Sequence, residues 1–270
     1  MLQHLGRKAN YASGCSDTRC DVYDSNSVIN AVHGVDVVFV CIGLGIGVEK
    51  EGNDRPDMEL PGKQKQLLQD VIDNSGAAKI ILISFNAGPV NIQWLDQSSR
   101  VSAILAVFYP GQSTGVALRN ALTNPNNPQF GRLPYTWYKS ANQVPPMIDY
   151  SMSGRTYRYF NGEPLYPFGY GLTYTTFQYE HPVIPANIKA GRDLHGSVVV
   201  RNTGSLPGDE VVQVYISWLQ SSTPSPQLQL VWFDRVTIGG NGQMTVHFSV
   251  TSKQMALWID NTGWKIEAGK

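Results

Sequence analysis

Apolar and polar positions along the chain fall into two regimes. Residues 35–42 read Val-Asp-Val-Val-Phe-Val-Cys-Ile, a nearly continuous apolar run rich in β-branched side chains, as expected of a parallel-sheet strand buried on both faces. From Gly62 to Ile72 the apolar residues Leu67, Leu68, Val71 and Ile72 recur at helical spacing, and residues 79–84, Lys-Ile-Ile-Leu-Ile-Ser, form a second buried strand. Residues 101–107 read as a third strand, ending at Tyr109-Pro110-Gly111. Residues 115–122 read as a further helix, closed by Asn124-Pro125-Asn126-Asn127-Pro128. Strands and helices alternating at these lengths predict a layered α/β sandwich with a mainly parallel sheet, its binding loops lying beyond the carboxyl ends of the strands.

The second regime begins near residue 140 with a connector rich in Pro, Gly and Tyr that ends at Phe168-Gly-Tyr-Gly-Leu-Thr-Tyr174. Short alternating segments follow at 195–201, 210–217, 230–236 and 244–250, separated by turns such as Asn202-Thr-Gly-Ser-Leu-Pro-Gly208 and Gly239-Gly-Asn-Gly242. This pattern predicts an antiparallel β-sandwich. The expected division is an α/β domain over 1–172, connector included, and an all-β domain over 173–270. The polar segment before the first strand predicts no element of its own. The chain is expected to continue N-terminally into a region absent here, and its end at Glu267-Ala-Gly-Lys270 stands where another strand would be expected to follow.

Composition narrows the function classes. With 42% hydrophobic and 16% charged residues, and Lys+Arg and Asp+Glu both at 21, the chain is that of a folded protein without the basic surplus that marks nucleic-acid partners. No apolar run is long enough to span a bilayer, so no membrane partner is expected. The three cysteines include no CxxC pair and the five histidines are scattered, so neither a metal nor another cofactor is called for. Cys15 and Cys20 can close a short-loop disulfide in an oxidising compartment, and Cys41 is expected as a buried free thiol. The first eight residues lack a signal-peptide layout.

The segment after the first strand, Gly43-Leu-Gly-Ile-Gly-Val-Glu-Lys-Glu-Gly-Asn-Asp-Arg55, carries the candidate chemistry. It is not a dinucleotide fingerprint: GxGxxG from Gly43 requires glycine where Val48 stands, and charged loop follows instead of a helix start. Glu49, Glu51, Asp54, Asp57 and Glu59 surround Arg55. Taken alone, this is a solvated acidic loop in which Asp54 pairs with Arg55. A carboxyl group serving as a general acid must hold its proton near neutral pH, and neighbouring carboxylates with partial burial push a Glu that way. Glycoside hydrolysis uses two carboxyl groups, about 5–5.5 Å apart in retaining enzymes, and this loop offers one of them.

The chain resembles the C-terminal region of family-three glycoside hydrolases of the β-xylosidase branch. The resemblance is carried by Glu49-Lys-Glu-Gly-Asn-Asp-Arg55 with Leu60-Pro-Gly-Lys-Gln64, by Phe85-Asn-Ala-Gly-Pro-Val90, and by Tyr109-Pro-Gly-Gln112. It continues through Gly131-Arg-Leu-Pro-Tyr-Thr-Trp137, Gly154-Arg-Thr-Tyr-Arg-Tyr-Phe160 and Phe168–Tyr174 into a last domain similar to the family's fibronectin-III-like module. For a complete enzyme it implies an N-terminal (β/α)₈ barrel that supplies an aspartate nucleophile, and an acid/base glutamate from the α/β sandwich. Counting back from the Asp-Arg pair places that glutamate at Glu51, with Glu49 as second choice. The implied function is an O-glycosyl hydrolase of the β-xylosidase or α-L-arabinofuranosidase type. It would act with retention on xylan-derived oligosaccharides, in the secretory pathway or outside the cell. The alternative is a non-catalytic carbohydrate-binding or scaffolding protein derived from such an enzyme. The motifs at 131–134 and 154–158 are expected to buttress domain contacts, and Tyr109 and Trp137 to be core or interface aromatics.

Overall fold

The computed structural model describes residues 9–124 and 130–268; the helix-closing segment expected at 124–128 lies, but for Asn124, outside them. The chain forms two units, one of residues up to Val116 with Trp137–Pro146 and Gly162–Tyr166, the other of Ala117–Thr136, Met147–Asn161 and Pro167 onward.

The first unit runs α1 (Ser25–Val32), β1 (Val37–Gly43), α2 (Gln64–Asn74), β2 (Lys79–Phe85), α3 (Gln93–Asp96) and β3 (Val101–Ala106), and α4 (Thr114–Thr123) starts at its end. The three strands form a parallel sheet in the order β1-β2-β3, with Val38 opposite Ile80 and Ile83 opposite Leu105. The central strand is the best buried, with Ile80, Leu82 and Ile83 at 1%, 0% and 0% exposure. β1 departs from expectation. Its Val38, Val40 and Ile42 are buried while Val37 and Cys41 are exposed, because β1 is an edge strand whose alternate side chains point to opposite faces. Helix α2 packs against β1 and buries Leu67, Leu68 and Val71. Cys41 is therefore an exposed free thiol, not the buried one its apolar neighbours suggest.

The segment before β1 is also more ordered than its polarity implies. Cys15 and Cys20 form a disulfide, and α1 follows, capped by Asp24, whose carboxylate accepts the Ser27 N–H at 3.1 Å. Val28 and Val32, one turn apart, are buried, and the Tyr23 and Ser25 hydroxyls both donate to Asp70 Oδ2 on α2, at 2.7 and 2.6 Å.

The second unit contains α5 (Thr156–Tyr159), β4 (Phe177–Val183), β5 (Leu194–Asn202), β6 (Gly208–Ile216), β7 (Gln229–Ile238), β8 (Gln243–Val250), β9 (Leu257–Ile259) and β10 (Gly263–Lys265). All its pairings are antiparallel: β4-β5-β8, β6-β7 and the hairpin β9-β10. The four alternating segments read in the sequence correspond to β5, β6, β7 and β8. A core of Val200, Val212, Val236, Ile238 and Val246 draws on both larger sheets. The motifs expected to buttress domain contacts make their contacts within this unit. Arg132 pairs with Glu210 at 2.6 Å, and Arg158 donates to Gln229 at 2.8 Å. Tyr157 stacks on Phe168 with ring centroids 4.1 Å apart. Among the described residues no helix is long and apolar enough to cross a membrane.

Candidate active-site loop

The loops after β1, β2 and β3 gather at the carboxyl end of the parallel sheet. The first begins where the Leu44 N–H donates to Phe85 O at 2.7 Å and is tied down again where the Asn91 N–H donates to Met58 O at 2.7 Å. Its glycines serve packing, not phosphate binding: a Cβ on Gly45 would stand 2.5 Å from Thr18 Oγ1, so the loop passes hard against the segment closed by the Cys15–Cys20 disulfide.

The five acidic residues separate into distinct environments. Glu49 forms an ion pair with Arg55, the two side chains 28% and 13% exposed. Both terminal nitrogens of Arg55 also donate to Pro89 O at 3.3 Å. Arg55 is thus held by Glu49, not by Asp54 as the sequence reading expects, because the loop folds back on itself and brings residue 49 over residue 55. Asp57 accepts the Glu59 N–H at 2.8 Å, and Glu59 accepts the Asn91 side-chain N–H at 2.6 Å. Glu51 and Asp54 are exposed and have no hydrogen-bonding or ionic partner among the described residues.

Glu51 occupies the tip of a tight turn. Lys50 and Asn53 exchange backbone hydrogen bonds, at 3.1 and 2.9 Å, across Glu51-Gly52. Gly52 has φ +75°, the left-handed conformation that a glycine adopts at the third position of such turns without steric cost. The Asn53 side chain donates to Val48 O at 3.1 Å and braces the turn from within. The geometry thus presents the Glu51 carboxyl group unpaired at the tip of a braced turn, with that of Asp54 also free, and locks Glu49 into a buttress.

The two aromatics singled out in the sequence part company. Trp137 is core, 1% exposed, its indole N–H donating to Val90 O at 2.9 Å. Tyr109 is 51% exposed and stands beside the acidic loop: partial burial and the nearby Glu49 carboxylate push its hydroxyl pKa up, against the opposing effects of Arg55 and an Ala87 backbone hydrogen bond. Sequence reasoning missed two further elements. Asn86 is fully buried, accepts from Ser84 Oγ at 2.6 Å and donates to Gly88 O at 2.7 Å, fixing the loop on which Arg55 rests. Asn91 links that loop to Glu59. Among the described residues no group of three or more His, Cys, Asp or Glu side chains is placed to hold a metal ion.

Comparison with known proteins places this geometry in a family. Residues 3–174 match the glycosyl hydrolase family 3 C-terminal domain, and residues 210–270 a fibronectin type III-like domain. The chain is 31% identical over 304 aligned residues to the probable beta-D-xylosidase 6 of Arabidopsis thaliana, covering 96% of this chain and 38% of that protein. It is 33% identical to the xylan 1,4-beta-xylosidase of Xylanibacter ruminicola, covering 88% and 28% respectively. Among solved structures, the GH3 beta-glucosidase of Bifidobacterium adolescentis superposes with a TM-score of 0.84 at 25% identity, over 99% of this chain and 41% of that one. The chain therefore spans well under half the length of these relatives. With a family match over more than half its length and the fold shared, the chain belongs to glycosyl hydrolase family 3, as a C-terminal domain followed by a fibronectin type III-like domain.

Proposed function

We propose that this chain is the acid/base portion of a retaining O-glycosyl hydrolase and that Glu51 is its general acid/base. The observation that supports the choice is the division of labour in the loop: Glu49 is committed to Arg55, whereas Glu51 stands unpaired at the tip of the turn. An acid/base group must donate a proton to the leaving oxygen and later take one from water, so it needs freedom from a permanent cation. In the complete enzyme an N-terminal barrel supplies the nucleophilic aspartate, the second of the two carboxyl groups that glycoside hydrolysis needs. The substrates are oligosaccharides derived from xylan, cleaved by β-xylosidase or α-L-arabinofuranosidase action in the secretory pathway or outside the cell. The names of the xylosidase relatives support the sugar, and the Cys15–Cys20 disulfide supports an oxidising compartment.

The test is Glu51→Gln in a barrel-containing enzyme. With a poorly leaving aglycone, turnover should fall by about 10²- to 10⁴-fold. With an activated leaving group the first step should survive, and added azide should restore turnover by replacing the water that Glu51 would otherwise activate. Unchanged turnover on the poor substrate assigns the role elsewhere, with Glu49 next to be tested.

A further inference from the structure

A shallow cleft of ≈ 380 Å³ lies on the first unit beside the start of α2 and the short α3, lined by Lys65, Asn91, Gln93, Trp94 and Gln97. Its chemistry differs from that of the acidic loop. The lining holds no carboxylate, but three carboxamides, one indole and one ammonium group. A carboxamide presents a donor and an acceptor side by side, the same alternation that two neighbouring sugar hydroxyls offer. An indole offers a flat apolar face with a polar edge, which matches the C–H face of a pyranose ring. The volume lies near the low end of small-ligand sites, about 300–1,000 Å³.

The platform is rigid where it must be and yielding where it can be. Ile92 and Leu95, on either side of Trp94, are 0% and 1% exposed, so α3 is anchored by its neighbours while Trp94 stays half-buried at the surface. The Lys65 ammonium lies 5.9 Å from the centre of the Trp94 ring, at the outer limit of a cation–π contact, and its exposed side chain can swing aside at little cost. Asn91 connects the cleft to the acidic loop through its hydrogen bond to Glu59 at 2.6 Å.

We propose that this cleft is an accessory saccharide site that holds a β-linked pyranose chain by stacking on Trp94 and by hydrogen bonds from Asn91, Gln93 and Gln97. The inference rests on the reading of this protein as one that acts on saccharides, but not on the role of Glu51. Equatorial β-linkages make a flat ribbon with apolar C–H faces that lies along an open cleft; α-linked chains coil and present hydroxyl-bearing edges. With no carboxyl group in its lining, the site retains a chain and does not cleave it. The other exposed aromatic pair, Trp258 and Trp264, has a different geometry. The two are directly opposite across β9 and β10 and meet edge to face at 76°, an arrangement that stabilises the hairpin and offers no common plane to a sugar.

The experiment is a calorimetric titration of the 270-residue chain with xylohexaose, cellohexaose and maltohexaose. The β-linked hexaoses should bind and maltohexaose should not. Trp94→Ala should weaken binding by about tenfold and Gln97→Ala, an exposed position that leaves folding intact, by about threefold to tenfold. Trp264→Ala and Glu51→Gln should leave it unchanged. Absence of binding by the unaltered chain, equal binding of maltohexaose, undiminished binding in Gln97→Ala, or loss in Trp264→Ala would each overturn the proposal. Because the titration involves no turnover, a failed Glu51 assignment in the complete enzyme leaves this result standing, and a failed titration leaves the Glu51 assignment untouched.

Discussion

Gln64, the first residue of α2, hydrogen-bonds both backbone groups of Gly43 at the end of β1. Its Oε1 accepts the Gly43 N–H at 2.9 Å, and its Nε2 donates to Gly43 O at 2.7 Å and to Thr18 O at 2.8 Å. The side chain is 4% exposed, so none of these groups has water as a ready substitute. One carboxamide thus completes the outer edge of β1 at the point where the acidic loop departs, and joins that point to the disulfide-closed segment. Gln64→Leu keeps the volume but strands one N–H and two carbonyls. The expected cost is about 2–5 kcal/mol, read as a lower urea midpoint with unchanged slope. An unchanged midpoint would mean that the loop does not depend on this anchor.

Asn202 plays the corresponding part in the second unit. Fully buried, it accepts from Thr175 Oγ1 at 2.5 Å and the Gly204 N–H at 3.0 Å, and donates to Leu206 O at 2.8 Å and Ile238 O at 3.0 Å. Thr175, the turn at 204–206 and the end of β7 at Ile238 therefore meet on one side chain. Asn202→Asp preserves the shape but removes both N–H donors and sets a carboxyl group against two carbonyls. The expected loss is roughly 3–5 kcal/mol, and Asn202→Ala should lose somewhat less. Thermal unfolding checks the order, which reverses if the cavity outweighs the unpaired carbonyls.

Arg132 and Glu210 form an ion pair whose side chains are 10% and 12% exposed, and the Tyr179 hydroxyl donates to the second Glu210 oxygen at 2.9 Å. Removing one partner leaves a poorly hydrated charge, so Arg132→Met should cost about 3–5 kcal/mol. Adding Glu210→Leu to Arg132→Met should recover much of that loss, because burying two apolar groups avoids the desolvation that the lone carboxylate suffers. A double-mutant cycle measures the coupling; additive losses would show that the two charges act independently.

These residues mark where sequence reading succeeds and stops. The strands of the parallel sheet are legible because β-branched runs bounded by Gly and Pro have few other uses. Helix α1 is not, since Ser-Asn-Ser-Val-Ile-Asn-Ala-Val is poor in strong helix formers and is held instead by the Asp24 cap and the hydrogen bonds to Asp70. The exposure of Cys41 depends on which face of β1 is covered, a tertiary property that an unbroken apolar run conceals. In the acidic loop the density of carboxylates marks the place, but the pairing of Glu49 with Arg55 spans six residues of irregular backbone and follows no periodicity. Trp94 lies in a four-residue helix, too short to leave a pattern that would single it out.

Stability at high pH should report on three phenols, the partly buried Tyr23 and Tyr215 and the 47% exposed Tyr179. The Tyr215 pKa is pushed up to about 12, chiefly by burial and then by Tyr157. Those of Tyr23 and Tyr179 are pushed up further, first by burial and then by the carboxylates that their hydroxyls meet, Asp70 and Glu210. Each folded-state pKa lies above the unfolded value near 10, so above that pH the folded state binds more protons than the unfolded one. Their contribution is complete below about pH 10 and is lost as pH rises through the folded-state values. Absorbance at 295 nm should show freely exposed tyrosines ionising near pH 10, while these three ionise only as far-UV circular dichroism is lost. Tyr179→Phe should make the fall in melting temperature between pH 10 and 12 shallower, although the lost hydrogen bond to Glu210 lowers the neutral-pH value. If all 13 tyrosines ionise in one step near pH 10 with the fold intact, the packing described around Asp70, Glu210 and Tyr157 is wrong.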